Sequence, residues 1–180
     1  MKILFALAIS FLVQSSQAET SYSEVVSPEV RKAAQALGAS LVSEVTFEPG
    51  SHSPNQEEMA ELASAVKEAK KSNKIKEVQV IAWADVEYPA DSQRGTNSTI
   101  KLANRRAKAI ENFLTQELEV SRVKKINMAK QPSALQNALG TKTADVKNTL
   151  LESGAVAQSP VMDPDIKGKA SKALVLIYTK

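Results

Sequence analysis

The chain has 180 residues, with 23 basic and 20 acidic side chains, one histidine and no cysteine. Charges of both signs are spread along it at a net of +3, which leaves no basic footprint for nucleic acid. The missing thiols exclude disulfides, cysteine-ligated metals, thiol nucleophiles and a lipid attached through cysteine, so stability has to come from packing.

Met1-Lys2, an apolar run from Ile3 to Val13, and small residues at Ser16 and Ala18 form the three-part pattern of a secretory signal peptide, residues 1–18. The run is too short to span a bilayer, and no later stretch approaches the roughly 20 apolar residues a spanning helix needs. The remainder is expected to be an exported protein: an N-terminal segment, 19–40, with a short helix, and one domain, 41–180.

Ser27-Pro28-Glu29 reads as an N-cap, a proline at the first helical position and an acidic first turn. The helix turns Val30, Ala33, Ala34 and Leu37 inward, and Gly38 ends it. Leu41 to Phe47, rich in β-branched residues and mostly alternating, predicts a strand closed by Pro49-Gly50. After Pro54-Asn55, the apolar positions Met59, Leu62, Ala63, Val66 and Ala69 keep a helical rhythm. On the outer face Glu57, Glu58 and Glu61 lead while Lys67, Lys70 and Lys71 come after, matching the helix dipole. Ile75 to Ala84 predicts a strand whose nearly continuous apolar centre suits burial on both faces.

Residues 86–98 form a long polar connection. A helix is predicted from about Ser98 to Leu118, with an inward stripe of Leu102, Arg106, Ile110, Phe113 and Leu114. The stripe contains an arginine. A guanidinium cannot be deprotonated, so an inward-facing one needs an anion, a set of carbonyls or a ligand. Asp85, at the end of the preceding strand, is the candidate partner, and such a pair can recognise a small zwitterion. The competing reading is a structural ion pair that orients the helix on the sheet.

Arg122 to Met128 predicts a third strand anchored by Val123, Ile126 and Met128. An insertion comes next, at about 133–168, with a helix from Ala144 to Ser153 that turns Val146, Leu150 and Leu151 inward, and a loop at 155–168. Ala173 to Tyr178 is the last strand. The order α-β-α-β-α-β-(α)-β fits an α/β (α+β) two-layer sandwich, a mixed sheet with helices on one face.

Several of these segments resemble the peptidoglycan-binding domain of the OmpA family. Val45-Thr-Phe47, then Gly50 and a helix, looks like its first strand and helix. Val78-Gln-Val-Ile-Ala-Trp-Ala-Asp85 resembles its second strand, which ends in Gly-His-Thr-Asp. Leu102-Ala-Asn-Arg-Arg-Ala107 is similar to its Leu-Ser-x-x-Arg-Ala motif. By position, Asp85 and Arg106 fall on the residues that hold the diaminopimelate of the peptide stem, the aspartate on the ammonium and the arginine on the carboxylate. The resemblance implies a non-catalytic protein of the periplasm or envelope of a Gram-negative bacterium that tethers or organises the envelope by binding peptidoglycan.

The chain also departs from that pattern. Ala82-Trp83-Ala84 replaces Gly-His-Thr, and Gly-x-Gly after the third strand is absent. Asn97 is the nearest equivalent of the family's loop asparagine, and Lys172 stands where Asn-Arg-Arg-Val is usual. Trp83, Asn97, Arg105 and Lys172 are therefore candidates for the rim of the site, with core packing the competing role for Trp83 and a solvated basic face for Arg105. The departures motivate an alternative function, a divergent domain acting as a protein–protein interaction module without peptidoglycan binding. His52 has no partner spacing for a metal, Asp163-Pro-Asp165 offers too few ligands for calcium, and the Asn97-Ser-Thr99 sequon is a chance match. No metal, no cofactor and no hydrolytic constellation is expected, since there is one histidine, no cysteine and no G-x-S-x-G.

Overall fold

The computed structural model describes residues 26–86, 88–89, 96–156, 158–159 and 172–180. The expected signal peptide, much of the 86–98 connection, and Asp163 and Asp165 with most of their loop lie outside the described residues.

Helix α1 (Pro28–Ala36) starts as its sequence dictates: Ser27 Oγ accepts the Val30 amide, and Gly38 leaves the helix at φ +72. Strand β1 is Leu41–Thr46. Helix α2 (Gln56–Ser72) is capped by Asn55, whose side chain accepts the Glu57 amide at 3.0 Å, and it buries Leu62, Val66 and Ala69. Strand β2 (Ile75–Ala82) stops two residues earlier than its apolar run. Then come the two-residue β3 (Tyr88–Pro89) and helix α3 (Asn97–Asn112). The helical span expected to reach Leu118 ends in a π-helical turn, Phe113–Glu117. There the Thr115 hydroxyl donates to the carbonyls of Glu111 and Asn112, competing with the regular ladder. Strand β4 (Val123–Asn127), the short α4 (Ala134–Ala138), α5 (Lys142–Glu152), the two-residue β5 (Gln158–Ser159) and β6 (Lys172–Thr179) complete the order. Helix α4 and the parallel pair of β3 with β5 were not evident from the sequence, being too short to show a period.

The main sheet runs β1-β6-β2-β4, so the last strand is laid between the first two. β6 is antiparallel to both neighbours, with Val175 opposite Ser43 on one side and Val80 on the other. β4 is parallel to β2, which requires a crossover, and α3 supplies it. The mixed α+β sheet is the class expected from the sequence.

Strand alternation sorts the core into two layers. Val78, Val80 and Ala82 face α2 and α3 along with Val45, Val175 and Ile177, and Leu62, Val66, Ala107, Ile110 and Leu114 close over them. This is the expected two-layer sandwich. The opposite face is covered as well: Ile81, Trp83, Ile126, Leu174 and Leu176 pack on Val30, Ala33 and Ala34 of α1 and on Val146 and Leu150 of α5. Helices thus lie on both faces rather than one. The apolar centre of β2 already required this, because a strand with water on one face alternates.

Candidate functional site

The site begins at the turn after β1. The Glu58 carboxylate on α2 accepts both the amide and the hydroxyl of Thr46, which fixes where the chain leaves the sheet. Phe47 is buried beneath α3, and the Ser51 amide closes a turn on the Glu48 carbonyl at 2.9 Å. Gly50 sits at φ +76, the left-handed region that a turn of this shape demands.

Arg106 reaches into that turn from the inner face of α3. The buried stripe of the helix is Ala103, Arg106, Ala107 and Ile110, continued by Leu114 in the π turn, while Leu102 and Phe113 are half-buried. Among all these apolar neighbours Arg106 is 0 % exposed. Its Nε donates to the Ser51 carbonyl at 2.8 Å, Nη1 to the Trp83 carbonyl at 3.2 Å, and Nη2 to the Glu48 carbonyl at 3.3 Å. Nη2 also donates to Asp85 Oδ1 at 2.6 Å, and the guanidinium lies 4.9 Å over the Phe47 ring. The charge is thus shared among a carboxylate, three carbonyls and an aromatic face, which is how a buried arginine avoids a large desolvation penalty.

Asp85 is the exposed member, with 26 % of its side chain accessible. Its Oδ2 accepts the Gly50 amide at 2.6 Å. One carboxylate therefore joins the end of β2, the turn after β1 and α3, and still presents a face outward. The sequence paired these two residues, and the structure brings them into contact. The Gly50 amide and the carbonyls of Glu48 and Ser51 were missed, since backbone groups leave no residue signature.

The proposed rim residues are not gathered around the pair. In a continued strand Trp83 and Asp85 would share a face, but β2 ends at Ala82 and the chain turns. The Trp83 ring stays with Ile81 in the α1/α5 layer at 1 % exposure, and only its carbonyl reaches Arg106. Lys172 keeps the alternation of Leu174 and Leu176 toward that same layer, and its Nζ lies 3.4 Å from Glu44. Asn97 is exposed in the first turn of α3, about 13 Å along the axis from Arg106. Arg105 is exposed on the solvent side of α3, as a basic face would have it, and His52 is exposed in the turn. Among the described residues no cluster of three or more histidine, aspartate or glutamate groups could hold a metal ion.

Behind the site, Asn127 at the end of β4 holds α3 in place. Its amide donates to the Ile100 carbonyl at 2.9 Å and to Asn104 Oδ1 at 2.8 Å, while its oxygen accepts the Ala129 amide. The Asn127 carbonyl in turn accepts from Lys147 of α5 at 2.7 Å, as does the Lys130 carbonyl. Lys147 is 2 % exposed, and burial together with the nearby Lys130 charge lowers its pKa to about 8. No helix among the described residues is long and apolar enough to cross a membrane.

No curated protein matches the chain significantly in sequence. The sequence profile described as the OmpA family matches residues 46–150, more than half of the chain. The matched span contains Asp85, Arg106, both helices of the inner layer and most of α5. The chain belongs to the OmpA family.

Proposed function

We propose that this domain binds peptidoglycan non-covalently in the cell envelope, taking the diaminopimelate of the peptide stem at Asp85 and Arg106. Domains of the family are generally non-catalytic and envelope-associated. The observation that carries the reading is the contact of a partly exposed carboxylate with a guanidinium at 2.6 Å, both residues lying within the span matched to the family. Asp85 takes the ammonium of the stem. Arg106 takes the carboxylate at the same stereocentre with the one N–H its four bonds leave over, which requires the turn at residues 48–51 to give way, since the guanidinium is fully buried. With the signal-peptide pattern at residues 1–18, the proposed location is the periplasm of a Gram-negative cell.

Co-sedimentation with purified diaminopimelate-type sacculi tests this. Asp85→Asn keeps the shape and an acceptor for the Gly50 amide while removing the charge, and it is expected to lose binding with the fold intact by circular dichroism. Undiminished sedimentation of that variant would refute the role given to Asp85.

A second reading is favoured by one observation, the complete burial of Arg106 against three backbone carbonyls. Here the pair only fixes the turn, and the domain acts as a protein-interaction module. This reading expects wild type and Asp85→Asn alike to ignore sacculi.

A further inference from the structure

On the other face of the sheet from Arg106, a cavity of about 150 Å³ opens between the N-terminal turn of α5, the start of β2 and the end of β6. Leu37 and Val146 give it an apolar wall. The remaining lining is polar: Lys76, Glu77, Gln79, Lys142, Asp145 and Tyr178. Gln79 is 6 % exposed, and its side-chain amide is oriented by its neighbour. Nε2 donates to Glu77 Oε1 at 2.9 Å. A carboxylate only accepts, so the NH₂ end must face Glu77 and the oxygen must face away. That oxygen is fully buried with no hydrogen-bond partner among the described residues. Glu77 is already engaged, since its other oxygen meets Lys124 at 2.7 Å, and Lys124 with Gln79 outweighs burial to hold its pKa below the ordinary value. Tyr178 lies opposite Glu77 on β6, and burial plus the carboxylates of Glu77 and Asp145 push its pKa up to about 12.

A buried acceptor without a donor is an unfavourable element that a donor from outside can relieve. Lys76, Lys142 and Asp145 line the cavity and supply both signs of charge. We propose that this cavity binds a small zwitterion of amino-acid size, its ammonium donating to Gln79 Oε1 and Asp145 and its carboxylate meeting Lys142 and Lys76. Leu37 and Val146 favour a short aliphatic side chain over a polar one. The cavity is independent of Asp85 and Arg106, so it stands or falls apart from peptidoglycan binding.

Nuclear magnetic resonance of the full chain tests it, tracking the Gln79 side-chain amide and the Tyr178 ring during titration with alanine, ethylammonium or propionate. Alanine is expected to shift both signals saturably, and more tightly than either singly charged probe. Lys142→Gln, at a rim position that leaves the fold alone, should weaken alanine by about tenfold, the loss of one charged contact. Gln79→Met, which keeps the volume, should abolish the saturable Tyr178 shift. No saturable shift with any probe would overturn the proposal and make the cavity a hydrated pocket. Equal binding of alanine and a singly charged probe would overturn the zwitterion assignment.

Discussion

Arg106 Nη2 and the Gly50 amide hold the two oxygens of Asp85, each at 2.6 Å, so that one carboxylate ties α3 to the turn after β1. Neither contact is local in sequence. Both depend on the turn being threaded under the helix, with the Glu48 and Ser51 carbonyls closing on the guanidinium. The arrangement explains how a charge survives at 0 % exposure and why the pair is rigid enough to present a fixed carboxylate.

Removing the guanidinium should therefore be severe. Arg106→Met strands Asp85 and three carbonyls, and urea unfolding is expected to show a loss of about 3–5 kcal/mol. Arg106→Lys keeps the charge but not the planar fork, so an intermediate loss is expected. A loss below about 1 kcal/mol for the methionine variant would mean that water replaces the contacts, against the complete burial of the group.

Gly50 gives a narrower test. A Cβ added there meets nothing within 4 Å, so the cost of Gly50→Ala is purely that of holding φ +76. Thermal or urea unfolding should show a loss of about 1–2 kcal/mol, and Gly50→Asn a smaller one because asparagine tolerates the left-handed region. Equal costs for the two would point to a steric cause instead.

Asn127→Ala removes three hydrogen bonds that fix the start of α3 and the turn after β4. A destabilisation of about 1–3 kcal/mol is expected. Amide exchange should also speed up around Ala129, whose N–H loses its acceptor, and unchanged exchange there would contradict the bond.

Stability should depend on alkaline pH in two opposite steps. Lys147 titrates at about 8 in the folded protein and near its ordinary 10.5 when unfolded. Between those values the unfolded chain binds more protons, so stability rises with pH, by up to about 2–3 kcal/mol. Tyr178 titrates at about 12 folded against 10.0 unfolded, so its contribution is complete below pH 10 and is lost as pH climbs from 10 to 12. Urea midpoints for wild type should pass through a maximum near pH 10. Lys147→Met should flatten the rising arm only, and Tyr178→Phe the falling arm only.

Much of this protein is readable from local pattern. Ser27, Asn55 and Gly38 cap their helices as their chemistry requires, and the nearly continuous apolar centre of β2 implied a strand covered on both faces. Arg106 announced itself by standing in a buried stripe, and its need for an anion selected Asp85. These inferences rest on periodicity and on the impossibility of burying a bare charge, both of which are properties of the chain itself. Of the two roles weighed for Trp83, the ring takes the core one, because β2 stops at Ala82 and the chain turns before Asp85. The Lys172 pairing with Glu44, the buried Lys147 over the 127–130 turn and the orphan oxygen of Gln79 join residues far apart in sequence or depend on what a fold leaves unfilled. Sequence determined which residues had to find partners. Only tertiary structure decided that Arg106 would be satisfied chiefly by backbone carbonyls, because carbonyls belong to every residue and acquire meaning only where the chain is bent to point them.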